Sequence, residues 1–131
     1  MTANQFRFAY FTRRYDETVA FYLNGLGLSL SHGWDRSPDD RGTVFRAASG
    51  MIEVLAYPPS GEADHLFDAR PPQGTFMVIE VDDVDAMHRK AVENELPIQQ
   101  ELKNQSWGHR SLCIREPNGL TLFFFTPIGG D

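Results

Sequence analysis

The side chains that first suggest metal or acid–base chemistry in this sequence are four histidines, His32, His65, His88 and His109, one cysteine, Cys113, and an acidic run, Glu80, Asp82, Asp83 and Asp85. A metal site needs imidazole, thiolate or carboxylate donors that converge. The histidines lack the H-x-x-x-H spacing that would set two of them on one helix face. His88 stands among charged neighbours and reads as a solvated helix residue. His65 falls in a proline-rich segment with Asp64 and Asp68, which read as a short capped turn or helix. The acidic run precedes a helical pattern, where carboxylates favour the positive end of the helix, so it reads as a cap. Cys113 has no companion histidine or helix N-terminus to lower its pKa and reads as a small core residue. His32 and His109 are left as candidates for a general base, with a surface position as the plain reading of both.

The elements that must position these groups follow from hydrophobic spacing. Residues 6–11 carry aromatics at both parities, with Arg7, Ala9 and Phe11 on one side and Phe6, Phe8 and Tyr10 on the other, as expected of a central strand. Residues 16–26 place Val19, Tyr22, Leu23 and Leu26 at helical intervals, and Gly25 and Gly27 can end the helix. Strands are predicted at 28–34, 44–48 and 51–57, the last two joined by Ser49-Gly50. Residues 58–73 contain four prolines and read as a linker. The order then restarts: a strand at 76–81, a helix at 84–94, an edge strand at 98–103, and strands at 110–115 and 120–126, with Pro117-Asn118-Gly119 as a hairpin turn.

The halves superpose at an offset of about 70 residues, which sets Arg7 beside Phe76 and Glu53 beside Phe123. Each half is thus a βαβββ unit, an α+β architecture. The expected organisation is a single domain over 1–131, with module one at about 5–57, the linker at 58–73 and module two at about 74–127.

With 131 residues and a net charge of −6, the chain has the size of one domain and the wrong sign for a nucleic-acid partner. No apolar run reaches the ~18 residues of a membrane span, and the N-terminus has no secretory pattern. One cysteine precludes an internal disulfide, and a cytoplasmic location is expected. Ten Phe, four Tyr and two Trp are enough to build a heavy core or to line an apolar cavity.

Three stretches carry a family resemblance: Ala20-Phe21-Tyr22 through Leu26-Gly27-Leu28, then Ile79-Glu80-Val81-Asp82-Asp83, then Trp107-Gly108-His109-Arg110 with Glu116-Pro117-Asn118-Gly119. In order and spacing the chain resembles the vicinal oxygen chelate superfamily, which includes glyoxalases, bleomycin resistance proteins and dioxygenases. That resemblance implies two tandem modules forming a curled mixed sheet around a pocket, and a homodimer. It also implies up to four metal ligands, one from the first and one from the last strand of each module. Those positions here are Arg7, Glu53, Phe76 and Phe123. Arginine is a permanent cation and phenylalanine has no donor atom, so Glu53 alone could ligate. A slip of one residue brings in only Phe6, Phe8, Thr75, Met77, Leu122 or Phe124.

The expectation is therefore a binding protein without a metal cofactor. Arg7, alone or with Glu53, would anchor a polar group of a small-molecule ligand, while Phe76, Phe123, Phe125 and Trp107 clasp its apolar body. Trp34 is expected near a pocket mouth or a dimer contact. Two other readings stay open: a lyase, isomerase or dioxygenase of glyoxalase type with a displaced divalent metal, and an assembly module with a vestigial pocket.

Overall fold

The first strand, β1 (Arg7–Thr12), alternates as its sequence dictates: Tyr10 and Thr12 are buried, while Arg7 and Ala9 are exposed on the other side. In the computed structural model, which describes residues 4–60 and 73–129, it is followed by α1 (Tyr15–Ala20), β2 (Ser29–Ser37), β3 (Asp40–Ala47) and β4 (Gly50–Ala56). The second series is β5 (Phe76–Glu80), α2 (Val84–Glu93), β6 (Ile98–Asn104), β7 (His109–Arg115) and β8 (Thr121–Pro127). The chain divides into two compact units, Met1–Pro72 and Gln73–Asp131, each with the βαβββ order. His65, Asp64 and Asp68 lie outside the described residues, as does most of the linker.

In the first unit the strand order is β1-β4-β3-β2, with β1 parallel to β4 and the other pairs antiparallel. The second repeats it as β5-β8-β7-β6. β1 is thus the terminal strand of its sheet, not the central strand that its aromatics suggested. The crossover through α1 brings β4 back along one edge of β1, and the aromatics at both parities reflect a strand covered by the helix on one face and only partly shielded on the other. Phe6, just before it, is 72% exposed.

The core of each unit lies between its sheet and its helix. In the first, Tyr22, Phe45, Val54 and Leu26 are almost wholly buried, and the Tyr10 and Tyr22 hydroxyls bond to each other at 2.9 Å. α1 runs into a π-helical turn, Phe21–Gly25, in which Leu26 N donates to the Phe21 carbonyl at 2.8 Å. That wider turn lets Phe21, Tyr22 and Leu26 all enter the core, which a regular 3.6-residue helix would spread over a broader arc. Gly27, at φ 71°, ends it in a conformation that favours glycine.

In the second unit Leu112, Ile114, Leu122 and Phe124 face Val84 and Ala91 of α2. Asp83 caps that helix, its Oδ1 accepting from Asp85 N at 3.1 Å and Ala86 N at 3.2 Å. Thr126 ties β8 to the same helix start by donating to the Val81 carbonyl and accepting from Val84 N. Asp85 is held by Arg110 of β7, whose Nε and Nη2 reach both carboxylate oxygens at 3.0 to 3.3 Å. The Arg110 guanidinium holds the Asp85 carboxyl below its ordinary value. The acidic run is therefore a helix start with a strand-to-helix tie. Because the folded pKa is depressed, this pairing is present at neutral pH and is lost as pH falls through the Asp85 value.

No helix among the described residues is long and apolar enough to cross a membrane.

The β7–β8 turn is organised by Glu116, which is 1% exposed. Its carboxylate accepts from Leu120 N at 2.9 Å, Asn118 Nδ2 at 2.9 Å and Asn118 N. Gly119, at φ 91°, takes the left-handed position that the turn requires. Glu116→Ala removes the buried acceptor that these donors share and is expected to lower stability by about 2–4 kcal/mol in urea unfolding, with Glu116→Gln costing less.

Candidate functional site

In each unit the helix covers one face of the sheet, and strand alternation sends every second side chain to the other. On that other face of the first unit lie Arg7 from β1 and Glu53 from β4. The register sets Arg7 opposite Met51 and Ala9 opposite Glu53, so the long Arg7 side chain crosses one position to reach the carboxylate. Arg7 Nη1 donates to Glu53 Oε1 at 3.0 Å, and its Nη2 lies 3.5 Å from Gln5 Oε1. The two side chains are 37% and 18% exposed, a half-solvated ion pair.

His32 and Trp34 of β2 reach the same face through their pairing with Val44 and Gly42. Their rings stack with centroids 6.0 Å apart. The Trp34 indole lies directly over Gly42, where an added Cβ would come within 2.2 Å of it, and its Nε1 donates to Asp40 at 2.9 Å. Trp34 is thus fixed by the hairpin it belongs to.

The corresponding face of the second unit is aromatic. β5 contributes Phe76 and Val78, 61% and 56% exposed. Val78 pairs with Phe123, and Glu80 with Phe125. The Phe123 and Phe125 rings are 6.3 Å apart, and the His109 ring stacks on Phe125 with centroids 4.0 Å apart and planes at 18°. Trp107, in the β6–β7 turn and 54% exposed, donates its indole N–H to His109 Nδ1 at 3.2 Å. The turn itself is closed by Gln105 N on the His109 carbonyl and by Gln105 Nε2 on Ser111 Oγ.

The sequence-predicted residues thus fall into two groups, Arg7 with Glu53, and Phe123, Phe125 and Trp107 on one face with Phe76. Sequence reasoning passed over Val78 and left His109 as a candidate general base, with a surface position as the plain reading, not as part of an aromatic cluster. The signals were the alternation Phe76–Val78 and the two-residue spacing of Trp107 and His109, which puts an indole donor within reach of an imidazole acceptor across a tight turn. His88, on α2, stands 3.5 Å from Glu101, on the helix side of its own sheet.

The model of the family described as Glyoxalase/Bleomycin resistance protein/Dioxygenase superfamily matches residues 4–124. The chain belongs to this superfamily. TioX from Micromonospora sp. ML1 shares 18% identity with it over 96% of this chain and 100% of that one, with a TM-score of 0.79. A glyoxalase/bleomycin resistance protein/dioxygenase from Alicyclobacillus acidocaldarius is 20% identical over 95% and 91% of the two chains, with a TM-score of 0.67. A lactoylglutathione lyase from Agrobacterium tumefaciens is 19% identical over 95% and 94%, with a TM-score of 0.68. These likenesses show the glyoxalase-type fold of two tandem βαβββ modules. A comparison of the sequence with curated proteins yields no match.

The residues at the superfamily's four metal-ligand positions do not fit a metal. Glu53 is the one donor, and its carboxylate is engaged by the Arg7 cation; Phe76 and Phe123 offer carbon only. Among the described residues, no three His, Cys, Asp or Glu side chains come together as a group that could hold a metal ion.

Cys113 pairs with Phe123 across the sheet and is buried. Burial pushes its thiol pKa up. A raised folded pKa means that the protonated thiol stabilises the fold at neutral pH, and that this contribution is lost as pH rises past the ordinary thiol value toward the raised one. Alkylation by iodoacetamide at pH about 8 is expected to be slow in the native protein and fast in urea; equal rates would show an accessible thiolate.

Proposed function

We propose that this superfamily member is a metal-independent small-molecule-binding protein that takes an aromatic or amphipathic ligand. Arg7, steadied by Glu53, is the polar anchor, and Phe76, Phe123, Phe125 and Trp107 are the apolar clasp. The observation that carries this reading is the replacement of metal donors at three of four positions by Arg and Phe, with the fourth donor engaged by Arg7. A guanidinium has five N–H donors in a planar fork, and the contacts of Arg7 with Glu53 and Gln5 engage one nitrogen each. An anionic oxygen on the ligand, such as a carboxylate or phenolate, matches that donor set. Exposed Phe76, Val78 and Trp107 supply the stacking surface that its ring needs.

The proposed assembly is a homodimer, and a reducing, cytoplasmic setting suits the single buried thiol.

Metal analysis of the purified protein, with melting temperatures in Zn, Ni, Mn, Fe(II) and chelator, tests the first half of the reading. The expected result is substoichiometric metal and no shift. Near-stoichiometric metal or a chelator-sensitive melting temperature would sink it and favour a glyoxalase-type enzyme with a displaced site. Aromatic carboxylates test the second half. Wild type is expected to bind 1-naphthoate, and Arg7→Met to weaken that binding by roughly 10- to 100-fold through loss of a charge-assisted hydrogen bond.

A further inference from the structure

His109 is the residue of the aromatic face whose protonation state the geometry defines. An indole N–H can only donate. With Trp107 Nε1 donating to His109 Nδ1 at 3.2 Å, Nδ1 must carry a lone pair, and the ring is the neutral Nε2–H tautomer. Protonation places a hydrogen on Nδ1, sets two N–H donors against each other, and removes the bond that orients the indole. The Phe125 ring, stacked at 4.0 Å, keeps the imidazole in its plane, and a half-turn within that plane would set a carbon, not an acceptor, opposite the indole.

We propose that His109 is a positioning residue of the ligand face, holding Trp107 for stacking when neutral and releasing it when protonated, so that binding of a planar aromatic ligand weakens on acidification. This rests on the reading of that face as the apolar clasp of a binding site. Within this module, register and strand alternation place Glu80 of β5, Lys103 of β6, and Cys113 and Arg115 of β7 on the same face as His109. β8 adds only Thr121, Phe123, Phe125 and Pro127, and the turn bearing Trp107 has no charged residue. Arg110 and Asp85 pair on the opposite face.

The first measurement needs no ligand. In nitrogen-15 spectra of the intact protein, the Trp107 indole signal is identified by its loss in Trp107→Phe. It is expected to move between about pH 8 and 5, the range in which imidazoles titrate, in step with the His109 ring nitrogens, which show the Nε2–H form at the upper end. In His109→Phe, which keeps a ring on Phe125 but has no acceptor, the indole signal stays still. An Nδ1–H tautomer at neutral pH, or an indole signal indifferent to acid in the wild type, overturns the proposal.

The second measurement uses 1-naphthoate, whose carboxylate stays ionised over that range. Its affinity for wild type is expected to fall about two- to tenfold on acidification, the worth of one orienting hydrogen bond, and to stay constant for His109→Phe. Equal wild-type affinity at both ends overturns the role in binding. If the indole and imidazole titrate together but naphthoate does not bind at any pH, the coupling stands and the ligand reading of this face falls, taking the role in binding with it.

Discussion

The arrangement of both modules depends on the parallel pairing of the first and last strands of each. A parallel pair cannot be closed by a tight turn, so the chain must leave, cross over through a helix and two further strands, and return. The crossover helix then covers one face of the sheet and no other. Alternation does the rest: residues of opposite parity on the paired strands are directed to the face that the helix leaves. Arg7 and Glu53 share a face in the first module for this reason, and Phe76, Val78, Phe123 and Phe125 share one in the second.

The two faces nevertheless have opposed chemistry. A half-exposed ion pair such as Arg7–Glu53 contributes little to stability, typically under about 1 kcal/mol, so its presence is poorly explained as a structural device. On the second face, exposed Phe76 and Val78 leave apolar surface in water that a folded chain ordinarily hides. On the reading proposed above, the first face offers a charged donor and the second an apolar ring surface.

What surrounds these faces is tied together by side-chain contacts. Glu116 gathers three nitrogen donors inside one turn, Thr126 and the Asp85–Arg110 pair fasten β7 and β8 to α2, and Gly42 makes room for Trp34. A strand pair fixed at its turn and along its helix gives the aromatic side chains of β8 a defined spacing, and the same frame brings Trp107 to His109.

Element order, the two modules, the turn at Pro117-Asn118-Gly119 and the chemistry at the four ligand positions were legible in the sequence, because hydrophobic period, turn residues and donor atoms are local properties. The acidic run before α2 was legible as a helix start for the same reason, and Asp83 caps it. The terminal place of β1 in its sheet was not, since aromatics at both parities do not distinguish a strand paired on both edges from one partly shielded on a face. Nor was the π turn, which depends on how Phe21, Tyr22 and Leu26 fill the core together. The union of Trp107, His109 and Phe125 was decided by tertiary structure alone: the spacing of Trp107 and His109 allowed their contact, but the stack on Phe125 exists because β8 pairs with β7 in one register. The sequence determined which atoms are present to bind or not bind a metal; strand pairing determined which of them meet.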